Sequence, residues 1–340
     1  MHSSKLASWW GASCWCRTMP DESARIGHRT VTPEAVATFG SLTGDYSRIH
    51  FDHGLGEASP HGRGFAHGLL SASWALGAMT LYAPRRVGCG EAGAYVSSFE
   101  VRFDDVVRFG DTLAFECRDA KPEEAPDGWN RRGSEFAVHD AEGRTPARGA
   151  VGLNVQPDGP AGALPRVEAR PWTVPAGRDV TLPRAGPMAA EAVLEHGPRG
   201  VSRVRTLTQA DVVNFANFTG ELNPLYLDAV FARGALFGER IAPPMLCFCL
   251  GFSVWLRELL HLPLGGSESS AGHLGDRWRF VAPVRIGDTL EVRYQPLSLR
   301  RTRSQPLRGV LTFGLQLVNQ HRSVVQQGEV DMLLEMGDSQ

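Results

Sequence analysis

The chain reads Gly44-Asp45-Tyr46-Ser47-Arg48-Ile49-His50-Phe51-Asp52 and, a little further on, Ala66-His67-Gly68-Leu69-Leu70-Ser71-Ala72-Ser73. The first stretch sets a carboxylate, Asp45, five positions ahead of an imidazole, His50. The second opens an apolar helix on a His-Gly step, and Gly at a helix start lets a ligand come close to the backbone. An acid, a base and a helix N-terminus are the parts that addition or removal of water beside a thioester carbonyl needs.

An altered copy of the same pattern lies in the C-terminal half. Thr43-Gly44-Asp45 matches Thr219-Gly220-Glu221 at an offset of 176 positions (43 to 219). At that offset Phe39 meets Phe215, His50 meets Tyr226, Asp52 meets Asp228, His67-Gly68 meets Pro243-Pro244, and Leu70 meets Leu246. Arg108-Phe109-Gly110-Asp111-Thr112-Leu113 meets Arg285-Ile286-Gly287-Asp288-Thr289-Leu290 at 177 (108 to 285). A repeat of about half the chain implies two copies of one domain, not a solenoid with its repeats of roughly 20–50 residues.

Each copy has the same expected order. A helix opens at Thr32-Pro33-Glu34, with Thr as cap and Pro in the first turn, and its partner opens at Thr208-Gln209-Ala210-Asp211. The motif loop follows, then a long apolar helix over about 68–81 and again over about 244–260. Strands are predicted at 94–103, 112–119, 133–140 and 146–155, and near 273–281, 289–298, 307–319 and 322–335. One apolar helix followed by antiparallel strands predicts an α+β domain in which a curved sheet wraps the helix. The expected division is an extension over 1–19, a first domain over 20–155, a Pro/Gly-rich linker over 156–188 and a second domain over 189–340.

Composition narrows the classes. Hydrophobic residues at 42% and charged residues at 21% fit a soluble globular protein. With 35 basic against 37 acidic residues and no basic stripe, a nucleic-acid partner is not expected. No apolar run reaches the roughly 20 residues of a membrane span. The six cysteines (Cys14, Cys16, Cys89, Cys117, Cys247 and Cys249) form no paired CxxC elements, so reduced thiols in a cytoplasmic protein are expected. His50, His53, His61 and His67 crowd together, but not at a helical His-x3-His spacing and without a flanking Cys, so neither a metal nor another cofactor is expected.

The order helix, GDxxxxH loop, HG-initiated helix and strands with a GDTL turn resembles the hotdog fold. More narrowly, it resembles the MaoC-like, (R)-specific enoyl-CoA hydratase/dehydratase family, over roughly residues 26–155 and again 200–335. The tandem arrangement is similar to double-hotdog hydratases, in which one chain mimics a dimer. The resemblance implies that Asp45 and His50 are the catalytic pair around one water molecule, that the Gly68 backbone N–H is the oxyanion donor, and that Ser47, His67 and Ser73 support them. It implies an acyl-CoA or acyl-carrier-protein thioester as substrate and an (R)-3-hydroxyacyl thioester as product. Whether the tandem chain forms a homodimer stays open.

The chain also departs from that family. Many members carry Gly-Asp-x-Asn-Pro-x-His, whereas Ser47 and Arg48 stand here in place of Asn and Pro. In the second copy Glu221, Tyr226 and Pro243-Pro244 replace the acid, the base and His-Gly. Proline has no N–H, and a tyrosine with pKa about 10 is a poor proton shuttle, so the second copy is expected to be a non-catalytic partner that helps shape the acyl channel. From the residues alone, Asp45 could be a turn former, His50 a structural histidine and His67 a residue that shapes the helix entry. Thioester hydrolysis and acyl-thioester binding without turnover remain as other functions.

Overall fold

The computed structural model describes residues 24–59, 62, 64–121, 128–157, 164–165, 190–196, 199–260 and 272–336. The expected extension over 1–19 lies outside the described residues, as does all of the expected linker except 156–157 and 164–165.

The first half runs β1 (Ala24–Thr30), α1 (Pro33–Thr43), α2 (Arg48–Phe51), α3 (His53–Ala58), α4 (Gly68–Tyr82), β2 (Ala94–Phe103), β3 (Thr112–Ala120), β4 (Asn130–His139) and β5 (Ala147–Val155). The second runs α5 (Ala190–His196), β6 (Gly200–Thr206), α6 (Gln209–Thr219), α7 (Pro224–Leu227), α8 (Ala229–Arg233), α9 (Pro244–Leu260), β7 (Gly272–Phe280), β8 (Thr289–Arg301), β9 (Arg308–Val318) and β10 (Val324–Glu335).

Local chemistry accounts for the helix ends. The Thr32 hydroxyl accepts the Ala35 N–H and Pro33 fills the first turn of α1. Thr208 and Asp211 form a reciprocal capping box on α6. Both helices stop at a left-handed glycine, Gly44 (φ 83°) and Gly220 (φ 87°), whose N–H bonds the carbonyl four residues back. That stop turns the next residue inward, so Asp45 and Glu221 are both buried. The long apolar helix α4 is buried continuously from Leu69 to Thr80, as its all-round apolar composition requires.

The strands form one antiparallel sheet of ten, in the order β1-β3-β4-β5-β2-β7-β10-β9-β8-β6. The second half repeats the first in mirror order, and the two meet where β2 pairs with β7, from Ser98↔Arg279 to Arg102↔Gly275. Glu100 pairs with Arg277, its own counterpart at the 177 offset, so a pseudo-twofold axis passes between them. The two Gly-Asp turns are built alike: Asp111 accepts from the Arg108 N–H and Asp288 from the Arg285 N–H, each at 2.8 Å.

The halves also pack helix on helix. A Cβ on Gly77 of α4 would collide with the Thr219 carbonyl at the end of α6, so only glycine fits that crossing. The edge strands β1 and β6 were not expected from the sequence. Each alternates polar residues with few apolar ones, because an edge strand buries little. The motif loop differs from expectation as well: His50 lies in the short helical turn α2, not in irregular backbone. Among the described residues no helix is long and apolar enough to cross a membrane.

Candidate active site

Asp45 follows directly from the left-handed stop of α1, and its carboxylate closes a tight turn. Asp45 Oδ1 accepts the Ser47 N–H at 3.1 Å and the Ser47 hydroxyl at 2.5 Å. Ser47 therefore supplies two donors to the acid through its shorter side chain. Arg48, the other departure from the family pattern, lines the same cavity and pairs with Asp52 at 2.9 Å.

His50 Nδ1 lies 3.1 Å from the Phe65 carbonyl. A carbonyl only accepts, so Nδ1 carries the hydrogen and Nε2 keeps a free lone pair. His67 precedes α4 but makes no side-chain cap bond. It does more than shape the helix entry: its Nε2 donates to the Asp45 backbone carbonyl at 3.0 Å and lies 3.9 Å from Asp45 Oδ2. The other ring nitrogen, Nδ1, is buried with no hydrogen-bond partner among the described residues. The rings of His50 and His67 sit 3.9 Å apart between centroids.

Charge states follow from burial and from these neighbours. Burial pushes the Asp45 pKa up, but His67, His50 and the Ser47 bonds outweigh it and hold the carboxyl below its ordinary range. Burial first, and then repulsion from His67, push His50 down to about 3, against the pull of Asp45. Burial likewise lowers His67, with Asp45 opposing. Near neutrality the group is an ionised carboxylate beside two neutral imidazoles.

These groups stand at one end of a cavity of about 520 Å³. Asp45, Ser47, His50, His67 and Gly68 line it. Gly68 is the first residue of α4, where the helix leaves backbone N–H groups without an internal acceptor and its dipole is positive. A Cβ there would lie 2.8 Å from the Phe103 ring, so glycine keeps this corner open. Ser73, expected near the reacting water, is not among the lining residues. Its hydroxyl donates to the Leu69 carbonyl at 2.7 Å and pairs with Cys249 of α9. Ser71 lines the cavity instead. Arg86 is turned inward onto Asp119 at 2.7 Å.

The other wall of the cavity comes from the second half: Phe252 and Leu256 of α9, His273 and Leu274 of β7, and Met332 of β10. These residues carry no local motif, and the β2–β7 junction together with helix packing between the halves brings them to Asp45. The same three-group cluster also bears on metals. Asp45, His50 and His67 each offer one ligand atom, and these atoms lie within 4.8 Å of one another, a set able to hold a divalent ion.

The pseudo-equivalent place in the second half is closed. Tyr226, Ile241, Ala242, Pro244 and Phe280 surround only about 20 Å³. Tyr226 is fully buried, Asn223 caps α7 by accepting the Leu225 N–H at 3.0 Å, and Glu221 Oε2 has no partner among the described residues. Burial alone raises Glu221 to about 8.

One open carboxylate–imidazole site and one closed counterpart, on two sheets fused around two buried helices, define a double hotdog protein. A Mycobacterium tuberculosis protein whose structure is described as a double hotdog fold superposes with a TM-score of 0.61 at 20% identity, covering 93% of this chain and 96% of that one. The MaoC like domain model matches residues 17–124 and 193–317, more than half of the chain, and the chain belongs to that family. It is 33% identical over 97 residues to a 3-hydroxybutyryl-CoA dehydratase of Methylorubrum extorquens, covering 28% of this chain and 56% of the relative. It is 32% identical over 92 residues to an (R)-specific enoyl-CoA hydratase of Rhodospirillum rubrum, covering 27% and 59%. The match thus spans little more than half the length of either curated relative.

Proposed function

We propose that this chain is a hydro-lyase that adds water reversibly to a trans-2-enoyl-CoA, giving the (R)-3-hydroxyacyl-CoA. The observation that carries this reading is the position of Asp45, His50 and Gly68 together at one end of a half-apolar cavity, with acid, base and helix N-terminus on one wall. Names of the two curated relatives support the reaction class and the (R) outcome.

In this reading the first half is the catalytic domain and the second a non-catalytic mate that supplies the acyl wall. Asp45 and His50 both enter as bases, one ionised and one with a free Nε2 lone pair. The water between them loses a proton to the pair as its oxygen bonds Cβ. The alkene electrons move to Cα and the thioester oxygen, whose charge the Gly68 N–H meets. The pair then returns the same proton to Cα, so water supplies both added groups and no separate acid is needed. Ser47 fixes the Asp45 carboxylate, and His67 holds the Asp45 backbone. An acyl-carrier-protein thioester presents the same pantetheine arm, and a second assay with that donor decides between the two.

The test follows the loss of absorbance of the conjugated double bond over enoyl-CoAs of several lengths. Turnover is expected, with Asp45→Asn slower by about 10²–10⁴. Release of free thiol without hydration would make the protein a thioesterase, and tight binding without either product would make it a carrier.

A further inference from the structure

The acyl wall holds a second histidine–carboxylate pair that the water chemistry leaves unused. His273 Nε2 lies 2.9 Å from Asp276 Oδ1, and both residues come from β7 in the second half. The Asp276 side chain is fully buried, and its Oδ2 has no partner among the described residues. The His273 ring is stacked on Phe252 (4.7 Å between centroids, 27° between planes) and tilted against Phe103 (4.9 Å). Two aromatic rings and one carboxylate therefore fix its orientation. A carboxylate on Nε2 leaves Nδ1 as the polar edge, and no hydrogen bond engages Nδ1 among the described residues. His273 lines the cavity together with Leu256, Leu274 and Met332.

The fold does not ask for this pair. The 177 offset holds through β7, because both strands break register at matching points, β2 between Val96 and Ser98 and β7 opposite Asp331/Met332, between His273 and Gly275. It places His273 over Val96 and Asp276 over Phe99, two buried apolar residues. Val96 faces the closed pocket as His273 faces the open one. Where the cavity is filled the strand carries valine and phenylalanine; where it is open it carries histidine and aspartate. A buried carboxylate is costly unless it serves a partner, and the partner here is a histidine that lines the cavity.

Resting on the reading of this cavity as an acyl-thioester site, we infer that His273, positioned by Asp276, is a specificity-determining residue that receives a hydroxyl or carboxylate oxygen carried on the acyl chain beyond the reacting alkene. A plain alkyl chain would cover the ring edge and leave it unpaired, which is how a polar pocket rejects an apolar analogue. Gln305 and Arg308 line the same cavity and add polar capacity to it.

The experiment compares trans-2-enoyl-CoAs ending in alkyl groups with matched series ending in hydroxyl or carboxylate. The readout is the ratio of kcat/KM within one enzyme preparation, which is insensitive to the fraction folded. The wild type should favour one oxygenated series by about tenfold or more. His273→Phe combined with Asp276→Asn, which avoids a stranded buried charge, should abolish or invert that ratio. A wild-type preference for alkyl chains, or a ratio unmoved by the paired substitution, overturns the assignment. The saturated thioesters, read by calorimetry, separate this from the reaction itself. If nothing is hydrated but the oxygenated thioester still binds tighter through His273, the hydratase reading fails and the specificity residue stands.

Discussion

The His50 and His67 rings lie tilted with their centroids 3.9 Å apart, so a proton on one repels a proton on the other. Both are held neutral by burial, His50 down to about 3. The unfolded chain takes up these protons near pH 6.5 and the folded chain does so only at lower pH. Stability from this pair is therefore complete above about pH 6.5 and is lost as pH falls below it, for His50 by about 1.4 kcal/mol per pH unit down to about pH 3. Urea unfolding at a series of pH values checks the slope. Catalysis should outlast it: with Asp45 held below its ordinary range and His50 neutral down to about pH 3, kcat/KM should show no acid limb near pH 6.5.

Glu221 carries the opposite sign. Its folded pKa is raised to about 8 by burial, against an ordinary 4.5. Between those values the unfolded chain is ionised and the folded chain is not, so stability falls as pH rises from about 4.5 to 8. Glu221→Gln removes the titration without changing the shape of the side chain. Unfolding midpoints for this variant and the wild type should coincide near pH 5 and diverge in favour of the variant by pH 8. Coinciding midpoints at both would mean that Glu221 is solvated or paired.

Much of this architecture could be read from residues close together in the chain. Thr32-Pro33 and Thr208-Asp211 mark two helix starts, and the Gly-Asp turns at 110–111 and 287–288 mark strand breaks, because caps and turns are local devices. Asp45 and His50 were legible for the same reason. The residues alone read His67 as an entry shaper, and only the resemblance gave it a supporting place; its reach back to Asp45 needs the fold to be seen. His273 gave no signal at all, because its place opposite Phe103 depends on pairing between strands of different halves. Ser73 lies outside the cavity lining, with its hydroxyl on the Leu69 carbonyl and Cys249, which no local spacing reveals.

Gly77 holds the two halves at contact distance. A methyl group there would overlap the Thr219 backbone carbonyl, which cannot rotate away as a side chain could. Gly77→Ala should lower unfolding stability by about 1–3 kcal/mol, more than the gain that alanine brings to an isolated helix. Its readout is the urea midpoint. An unchanged or raised midpoint would show that the α4–α6 crossing can open without loss.

The triad of Asp45, His50 and His67 could bind a divalent ion, and the water-activating pair proposed above does without one. Prolonged dialysis against a chelator should leave hydration within about twofold of its starting rate. Loss of activity restored by added Zn²⁺ or Fe²⁺, together with one equivalent of metal in elemental analysis, would hand the activation of water to the ion. His67→Gln separates the cases further: as a support for the Asp45 backbone it should cost less than Asp45→Asn, and as a metal ligand it should cost as much.

The cavity of about 520 Å³ beside Asp45 and the counterpart of about 20 Å³ beside Tyr226 lead to the expectation of one acyl site per chain. The smaller one holds about one water molecule, so no acyl chain enters it. Pro244 also removes the N–H that Gly68 offers at the matching helix start. Calorimetric titration of Asp45→Asn with crotonyl-CoA should thus give one bound ligand per chain. Tyr226→Phe removes a hydroxyl from a closed, buried pocket, and turnover should stay within a few-fold of the wild type. Two ligands per chain, or a Tyr226→Phe loss equal to that of Asp45→Asn, would show that the second half still opens and takes part in the chemistry.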